Sequence, residues 1–223
     1  MSPYRRGGGT LSRAAARPQR YRRGNRIFYV VAEGEGTEYD YFDHINREYG
    51  PDRRFVIRTP AASVQRNGLQ PSRVVTEAAV VLGDSDINEV WGLFDHDRRP
   101  DIDQVCARAR RLDIKVALSH PAFELWLLLH FQDFSPAKQD GSNTVVMEKL
   151  RNAHPAFADY RDGNKRINLE RFEALNEDER IRKAVTRARS LSDSFTRETP
   201  SNRDPSTDVY LLIQNLGIVS ALP

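Results

Sequence analysis

The chain has 223 residues, with 34 Lys and Arg, 31 Asp and Glu, and one cysteine. Its apolar runs are much shorter than the ~18 residues needed to cross a bilayer, so we expect no membrane span. The lone Cys106 and the lack of an apolar leader argue against a disulfide-stapled secreted protein and favour a reducing, cytoplasmic setting.

The positive charge is concentrated at the N-terminus. Residues 1–23 contain seven of the basic side chains and no acid, so the rest of the chain carries 27 basic against 31 acidic side chains. We predict a disordered basic arm over residues 1–24, which either contacts phosphate backbones or an acidic protein or is a solvated leader without a dedicated partner. The body of the protein is too acidic to predict strong nucleic-acid binding by itself.

The N-terminal half alternates strands with helices. Residues 26–32 form a continuous β-branched and aromatic run, and a helix capped by Thr37 follows until Gly50 and Pro51. Next we predict a strand at 54–58, a loop at 60–69 and a helix at 71–83 that Gly83 caps. A strand at 89–94, a helix at 102–112 and a strand at 114–118 follow. Strands that alternate with helices pair in parallel through right-handed crossovers. The sequence therefore predicts an α/β core with a parallel sheet over residues 25–120.

The C-terminal half, residues 121–223, is predicted to be mostly helical and to pack on that core. Residues 122–131 are apolar nearly all round, which is typical of a buried helix, and Ser119 is placed to cap it. Helical periodicity also covers residues 142–153, 167–197 and 206–216.

Acidic residues directly follow two of the predicted strands. Glu33, with Glu35 and Glu38, comes after the first strand, and Asp95 and Asp97 come after the third. The carboxyl ends of parallel strands open on one edge of a sheet, where ligands bind, so we expect these carboxylates to meet. Hard oxygen ligands of this kind suit Mg²⁺ or Mn²⁺, and without a cation they would repel one another. The alternative is that these acids are only loop residues and helix caps.

Other residues near the acids are candidates for supporting roles. Gly34 and Gly36 would allow a phosphate to approach the backbone N–H groups that begin the next helix. Glu124 stands in an apolar helix, so we expect it either to join the metal site or to form a structural ion pair. Glu35 and His96 are further candidates for metal ligation or its support, although simple solvent exposure is an equal alternative for His96.

Basic side chains could neutralise the phosphates of a substrate. Arg98 and Arg99 follow the Asp-His-Asp triplet closely, and guanidinium groups bind phosphate well. Lys165 and Arg166 are the best candidates in the C-terminal half for the same role.

Four stretches of the sequence carry a family resemblance, namely VAEGEGTEYDYF at 31–42, LFDHDR at 93–98, SHPAFELWLLLHF at 119–131 and NRDPSTDVYLLIQNL at 202–216. Through them the chain resembles the RloB family, also called AbiLii-like, of prokaryotic defence-associated proteins. The first two stretches also look like the TOPRIM pattern of topoisomerases, primases and OLD-type nucleases. This resemblance implies a TOPRIM-like core in which Glu33 is the general acid or base while Asp95 and Asp97 hold Mg²⁺.

The resemblance further implies a nuclease of an anti-phage defence system that works with an AAA- or ABC-type ATPase. The sequence leaves open whether the substrate is DNA or RNA, including tRNA, what activates the protein, and whether it forms an oligomer. The alternative function is a non-catalytic subunit that binds nucleic acid or a nucleotide and regulates an ATPase. The presence of Glu33 and of both aspartates favours the nuclease.

Overall fold

The computed structural model describes residues 24–65, 68–135 and 142–219. All of the predicted basic arm except Gly24 lies outside these residues. The strands are β1 (Arg26–Ala32), β2 (Phe55–Arg58), β3 (Glu89–Asp95), β4 (Lys115–His120) and β5 (Ser206–Thr207). The helices are α1 (Thr37–Arg53), α2 (Ala62–Gln65), α3 (Pro71–Ala79), α4 (Ile102–Arg111), α5 (Glu124–Leu129), α6 (Asn143–Ala153), α7 (Leu169–Asn176), α8 (Arg180–Asp193) and α9 (Val209–Leu216).

The sheet has the strand order β2-β1-β3-β4-β5. The pairs β2–β1, β1–β3 and β3–β4 are parallel, which confirms the predicted α/β architecture and is consistent with a TOPRIM-like core. Ala32 at the end of β1 is in register with Leu93 of β3, and Asp95 is in register with Ser119 of β4. The carboxyl ends of the three central strands therefore lie side by side at one edge.

Helices cover both faces of the sheet. On one face, β1 and β3 pack with α1 and with α5 to α9 around large buried side chains such as Tyr41 and Trp126. On the other face, α3 and α4 bury smaller residues, among them Val74 and Ile102, against the strands. In the described ranges no helix combines the length and the apolar character that a bilayer span requires.

The fifth strand was not predicted. The periodicity of residues 206–216 indicates a helix throughout, but Ser206 and Thr207 pair antiparallel with His120 and Ser119, and α9 begins only at Val209. Ser119 is consequently part of β4 and its hydroxyl bonds to that of Thr207 at 2.9 Å, so its predicted role as the cap of α5 is wrong. Phe123 occupies the cap position instead, without a side-chain bond.

The ends of α1 also differ from the prediction. Gly36 is the N-cap, and Thr37 is already helical, with a hydroxyl that donates to the carbonyl of Lys165 at 2.7 Å. At the other end the helix passes Gly50 and Pro51 and stops at Arg53. A proline in the last turn removes only one helical hydrogen bond, so it does not have to end the helix.

Three further boundaries shift. The predicted loop 60–69 contains the short α2, and α3 ends at Ala79, before Gly83, with Val80 exposed to solvent. The helix predicted for residues 167–197 is divided into α7 and α8. Asp178 and Glu179 adopt left-handed backbone angles at the break, with φ of 49° and 58°. That polar segment has no apolar side chain to hold it in a helix, and an aspartate such as Asp178 tolerates this conformation better than most residues.

Candidate functional site

Glu33 and Asp95 meet at the shared edge of β1 and β3, as the sequence predicts. The backbone N–H of Asp95 donates to Oε2 of Glu33 at 2.9 Å. On its other side, Oε1 of Glu33 lies 3.6 Å from Nη2 of Arg99. Burial raises the pKa of Glu33, while the bond from Asp95 and the charge of Arg99 act against that increase. Glu33 is thus a half-buried carboxyl group held in place by the neighbouring strand end.

A buried glutamate in the first turn of α1 completes the acidic cluster. Glu38 is 7% exposed, and its carboxylate accepts hydrogen bonds from its own backbone N–H and from that of Gly34. Burial raises the pKa of Glu38 to about 7, and the negative charges of Glu124 and Glu33 contribute to the increase. The sequence pattern groups Glu38 with Glu33 but predicts no separate role for it, because an acid in the first turn of a helix normally only complements the helix dipole.

Asp95 lies in the field of the other acids. Burial is the main reason that its pKa is well above the ordinary value, followed by the charges of Glu38, Glu124 and Glu33. Neither Asp95 nor Glu38 forms an ion pair with a Lys or Arg side chain in the described part of the chain. Two adjacent carboxyl groups are therefore desolvated without a compensating positive charge, an arrangement that a cation would relieve.

Glu124 forms the ion pair that was one of its two predicted alternatives, and it stands close to the other acids. Its Oε1 accepts the Nζ of Lys165 at 3.1 Å and the hydroxyl of Tyr160 at 3.3 Å, so it is ion-paired. It also lines the same cavity as Glu38 and Asp95. Burial alone would lower the pKa of Lys165, but the carboxylates of Glu124 and Asp162 more than offset this and raise it. Lys165 consequently remains an ammonium group at the wall of the acidic cavity.

The other two members of the Asp-His-Asp triplet, His96 and Asp97, lie in different surroundings. Asp97 is exposed and has a left-handed backbone, with φ of 41°. His96 is buried, its ring stacks on that of His120 at 4.0 Å, and its Nδ1 accepts the N–H of Arg98 at 3.0 Å. Burial lowers the pKa of His96, which favours the neutral ring. The expectation of simple solvent exposure for His96 is therefore wrong.

The space that Gly34 and Gly36 leave open is filled by protein side chains. A Cβ atom at position 34 would come within 2.7 Å of the carboxyl carbon of Glu38, and one at position 36 within 2.8 Å of Cδ of Arg166. Glu35, which stands between them, is exposed at the rim of the cavity. The two glycines thus let a buried carboxylate and a guanidinium approach the loop closely.

Two cavities meet at Asp95. The first, of about 500 Å³, is lined by Glu38, Asp95, Glu124 and Lys165 together with both glycines. The second, of about 540 Å³, is lined by Glu33, Asp95, Asp97 and Arg98 and reaches His120. Asn143 at the start of α6 also borders both of them. Asp95 and Asn143 therefore border two neighbouring cavities at the edge of the sheet, one lined by Lys165 and the other by Arg98.

The donor set fits a hard divalent cation only in part. In the residues described, no three His, Cys, Asp or Glu side chains are arranged to hold an ion as they stand. Mg²⁺, however, is commonly bound by one or two carboxylates, with water and substrate phosphate as its other ligands. The pair formed by Glu38 and Asp95 meets that smaller requirement.

Comparison with known sequences agrees with the resemblance carried by the motifs. A family model described as RloB-like protein matches residues 28–216, which run from β1 to the end of α9. Neither the curated proteins nor the solved structures contain a match to the chain. The matched range includes both cavities and every carboxylate described above.

Proposed function

The chain belongs to the RloB-like protein family, and from this premise we propose that it hydrolyses phosphodiester bonds in nucleic acid with the help of Mg²⁺ or Mn²⁺. One observation supports this above the others: buried Glu38 and partly buried Asp95 line the same cavity, have raised pKa values and form no ion pair with a Lys or Arg side chain in the described residues. Buried acids of this kind at a ligand-binding sheet edge are characteristic of functional sites.

The residues divide the chemistry among themselves. Glu38 and Asp95 would hold the metal ion, which when bound activates water and stabilises charge on the phosphoryl oxygens. Glu33, whose pKa is raised by burial, is placed to take a proton from the attacking water or to give one to the leaving oxygen. Lys165 and Arg98 stand on either side of Asp95, one in each cavity, and could bind flanking phosphates.

Asp97 contributes less to the metal ion in this proposal than the triplet pattern implies. Its side chain is exposed and its backbone turns away from the strand direction, whereas Asp95 is enclosed by three other acids. An exposed carboxylate attracts a cation less strongly than a desolvated one, because water weakens the electrostatic interaction. Glu38 therefore takes the place of Asp97 as the main partner of Asp95.

A second candidate function is the binding of nucleic acid or a nucleotide without cleavage. It is supported by the arrangement of the acids, because no three His, Cys, Asp or Glu side chains in the described residues are placed to hold an ion. Lys165 and Arg98, which line the two cavities at Asp95, could still contact phosphates. The role in phage defence and the AAA- or ABC-type ATPase partner rest on the family resemblance alone, and the proposed cytoplasmic location rests on the single cysteine of the sequence.

The two functions are separated by a cleavage assay. The full chain, alone and together with its ATPase partner, is incubated with single- and double-stranded DNA and with tRNA, in Mg²⁺, in Mn²⁺ and in EDTA. We expect metal-dependent cleavage that is lost in E38Q and D95N. E48Q, which changes an exposed glutamate of the same helix α1, is the matched control and should cleave normally. If no nucleic acid is cleaved under any of these conditions, the nuclease proposal fails and the binding function stands.

A further inference from the structure

The segment of residues 159–167, which we call the wall loop, forms one side of the first cavity. It carries Tyr160 and Lys165, the two residues that bind the carboxylate of Glu124. Its backbone is joined to the start of α1, because the carbonyl of Lys165 accepts the hydroxyl of Thr37 at 2.7 Å. The N–H of Ile167 donates to Asp40 at 3.0 Å, one turn further along the same helix. The wall loop is therefore bonded both to Glu124 and to helix α1, which carries Glu38.

A single buried arginine holds the wall loop through hydrogen bonds of its guanidinium group. Arg171 is only 3% exposed, and its Nη1 donates to the carbonyls of Asn164 at 3.0 Å and Arg166 at 2.7 Å. Its Nε donates to the carbonyl of Ala156 at 3.0 Å, and its Nη2 to the carboxylate of Asp159 at 2.6 Å. One side chain thus fixes both ends of the loop and the residue on either side of Lys165.

We propose that Arg171 is a positioning residue of the site, which holds the wall loop so that Lys165 faces Glu124 and the acidic cavity. This inference rests on the proposed function, since it gives Lys165 its place beside the substrate. Arg171 itself lines neither cavity. It acts only through the loop that it supports.

The chemistry of the guanidinium group makes this role specific to arginine. Four bonds run from three different nitrogen atoms in one plane, and the guanidinium also lies 5.2 Å from the ring centre of Tyr160. An ammonium group is a compact donor that cannot reach such separated acceptors at the same time. Lysine at position 171 would keep the charge but release part of the loop.

The first test measures the position of Lys165 without relying on any activity. Trace acetylation of the folded full-length protein, read by mass spectrometry, gives the reactivity of Lys165 relative to Lys115, which is paired with Glu89 on β3. In R171K we expect this ratio to rise several-fold. R180K is the matched control, because Arg180 also donates to a backbone carbonyl, that of Ala174, and lies over an aromatic ring, that of Phe131. The ratio in R180K should stay at its wild-type value.

A milder variant covers the case in which R171K does not fold. D159N weakens one of the four bonds of Arg171 at an exposed position and should raise the same ratio by a smaller factor. General loosening of the protein would raise the reactivity of both lysines together and leave the ratio unchanged. An unchanged ratio in D159N and in any folded R171K, or an equal rise in R180K, overturns the proposal.

The second test links Arg171 to catalysis through a double-mutant cycle. If Arg171 acts through Lys165, then R171K and K165M should reduce cleavage of the preferred nucleic acid by similar factors, and the double variant should be no worse than K165M. Multiplying losses would show that the two residues act separately and would refute the proposal. If the wild-type protein cleaves nothing, the proposed function fails, but the acetylation ratio still decides whether Arg171 positions Lys165.

Discussion

The carboxylate of Glu38 packs so closely against the backbone of Gly34 that a methyl group at position 34 would lie within 2.7 Å of its carboxyl carbon. The two residues belong to different elements, the loop after β1 and the first turn of α1. The charges of Glu38 and Asp95 also influence each other, so Glu38 belongs to the same acidic cluster. The geometry of the acidic cluster therefore depends on the absence of a side chain at one position.

We expect G34A to disrupt the site. The added methyl group must displace either the buried carboxylate or the loop, which should lower the free energy of unfolding by about 1–3 kcal/mol. Denaturant unfolding and metal-dependent cleavage measure the two effects. G83A is the control, since nothing lies within 4 Å of a Cβ atom at that position. Wild-type stability and cleavage in G34A would contradict the packing described here.

The stability of the metal-free protein should depend on pH through Glu38. Burial raises the pKa of this group from the ordinary 4.5 to about 7, so its ionisation opposes folding. The contribution of Glu38 to the free energy of unfolding is most favourable below about pH 4.5, where the group is neutral in both states. It is lost progressively as the pH rises to about 7, and at higher pH the free energy no longer changes through this group. E38Q cannot ionise, so in EDTA it should be more stable than the wild type by up to about 3 kcal/mol near pH 8 and no more stable near pH 4.

Denaturant unfolding at both pH values in EDTA tests this prediction. The variant E35Q, which changes an exposed acid of the neighbouring loop, should show no such pH-dependent difference. Adding Mg²⁺ should stabilise the wild type more than E38Q. If E38Q is less stable than the wild type near pH 8 without metal, Glu38 is not the desolvated carboxyl group that we describe.

Asp95 and Asp97 should contribute unequally to metal binding. We expect D95N to weaken Mn²⁺ binding by at least about tenfold, because this carboxylate lies in the field of three other acids, whereas D97N should weaken it by less than about threefold. Titration of free Mn²⁺ by electron paramagnetic resonance gives both affinities. D101N, an exposed substitution shortly before α4, is the control. Equal losses in D95N and D97N would favour the metal site that the triplet pattern implies.

Removing Lys165 should leave Glu124 as an uncompensated buried charge. Glu124 is 7% and Lys165 31% exposed in their side chains, so we expect K165M to cost about 1–2 kcal/mol, less than for a fully buried pair. The double variant E124Q/K165M should recover most of this loss, because the neutral amide can remain hydrogen-bonded to Tyr160. Urea unfolding of E124Q, K165M and the double variant measures the coupling. Additive losses would show that the ion pair contributes nothing.

The four parallel strands and the meeting of Glu33 with Asp95 were predictable because both rest on strong local patterns. Continuous apolar runs mark strands that are buried on both faces, and parallel pairing puts their carboxyl ends at one edge. The ends of helices were predicted less well. Gly50 and Pro51 lie within the last turn of α1, where only tertiary contacts decide how far the helix continues.

Other features depend on contacts between distant parts of the chain. β5 is only two residues long, and its pairing with β4 leaves no periodicity in the sequence. Glu38 matters for the proposed site because it is buried beside residues of the C-terminal half such as Glu124 and Lys165. No local pattern in the sequence reports that burial. Arg171 likewise looks like an ordinary helical arginine in the sequence, although three of its side-chain bonds hold the wall loop. For Glu38, the local feature of the sequence that hinted at its close packing was the glycine at position 34.

The large core on the α1 face of the sheet joins the two halves of the chain. Phe28 of β1 and Leu216 of α9 belong to the same buried cluster, together with Tyr41 and Trp126. A fragment that ended near residue 120 would expose this entire apolar surface. The two halves should therefore unfold in a single cooperative transition, and swapping the C-terminal half between relatives should succeed only where the side chains that meet at this core are exchanged as well.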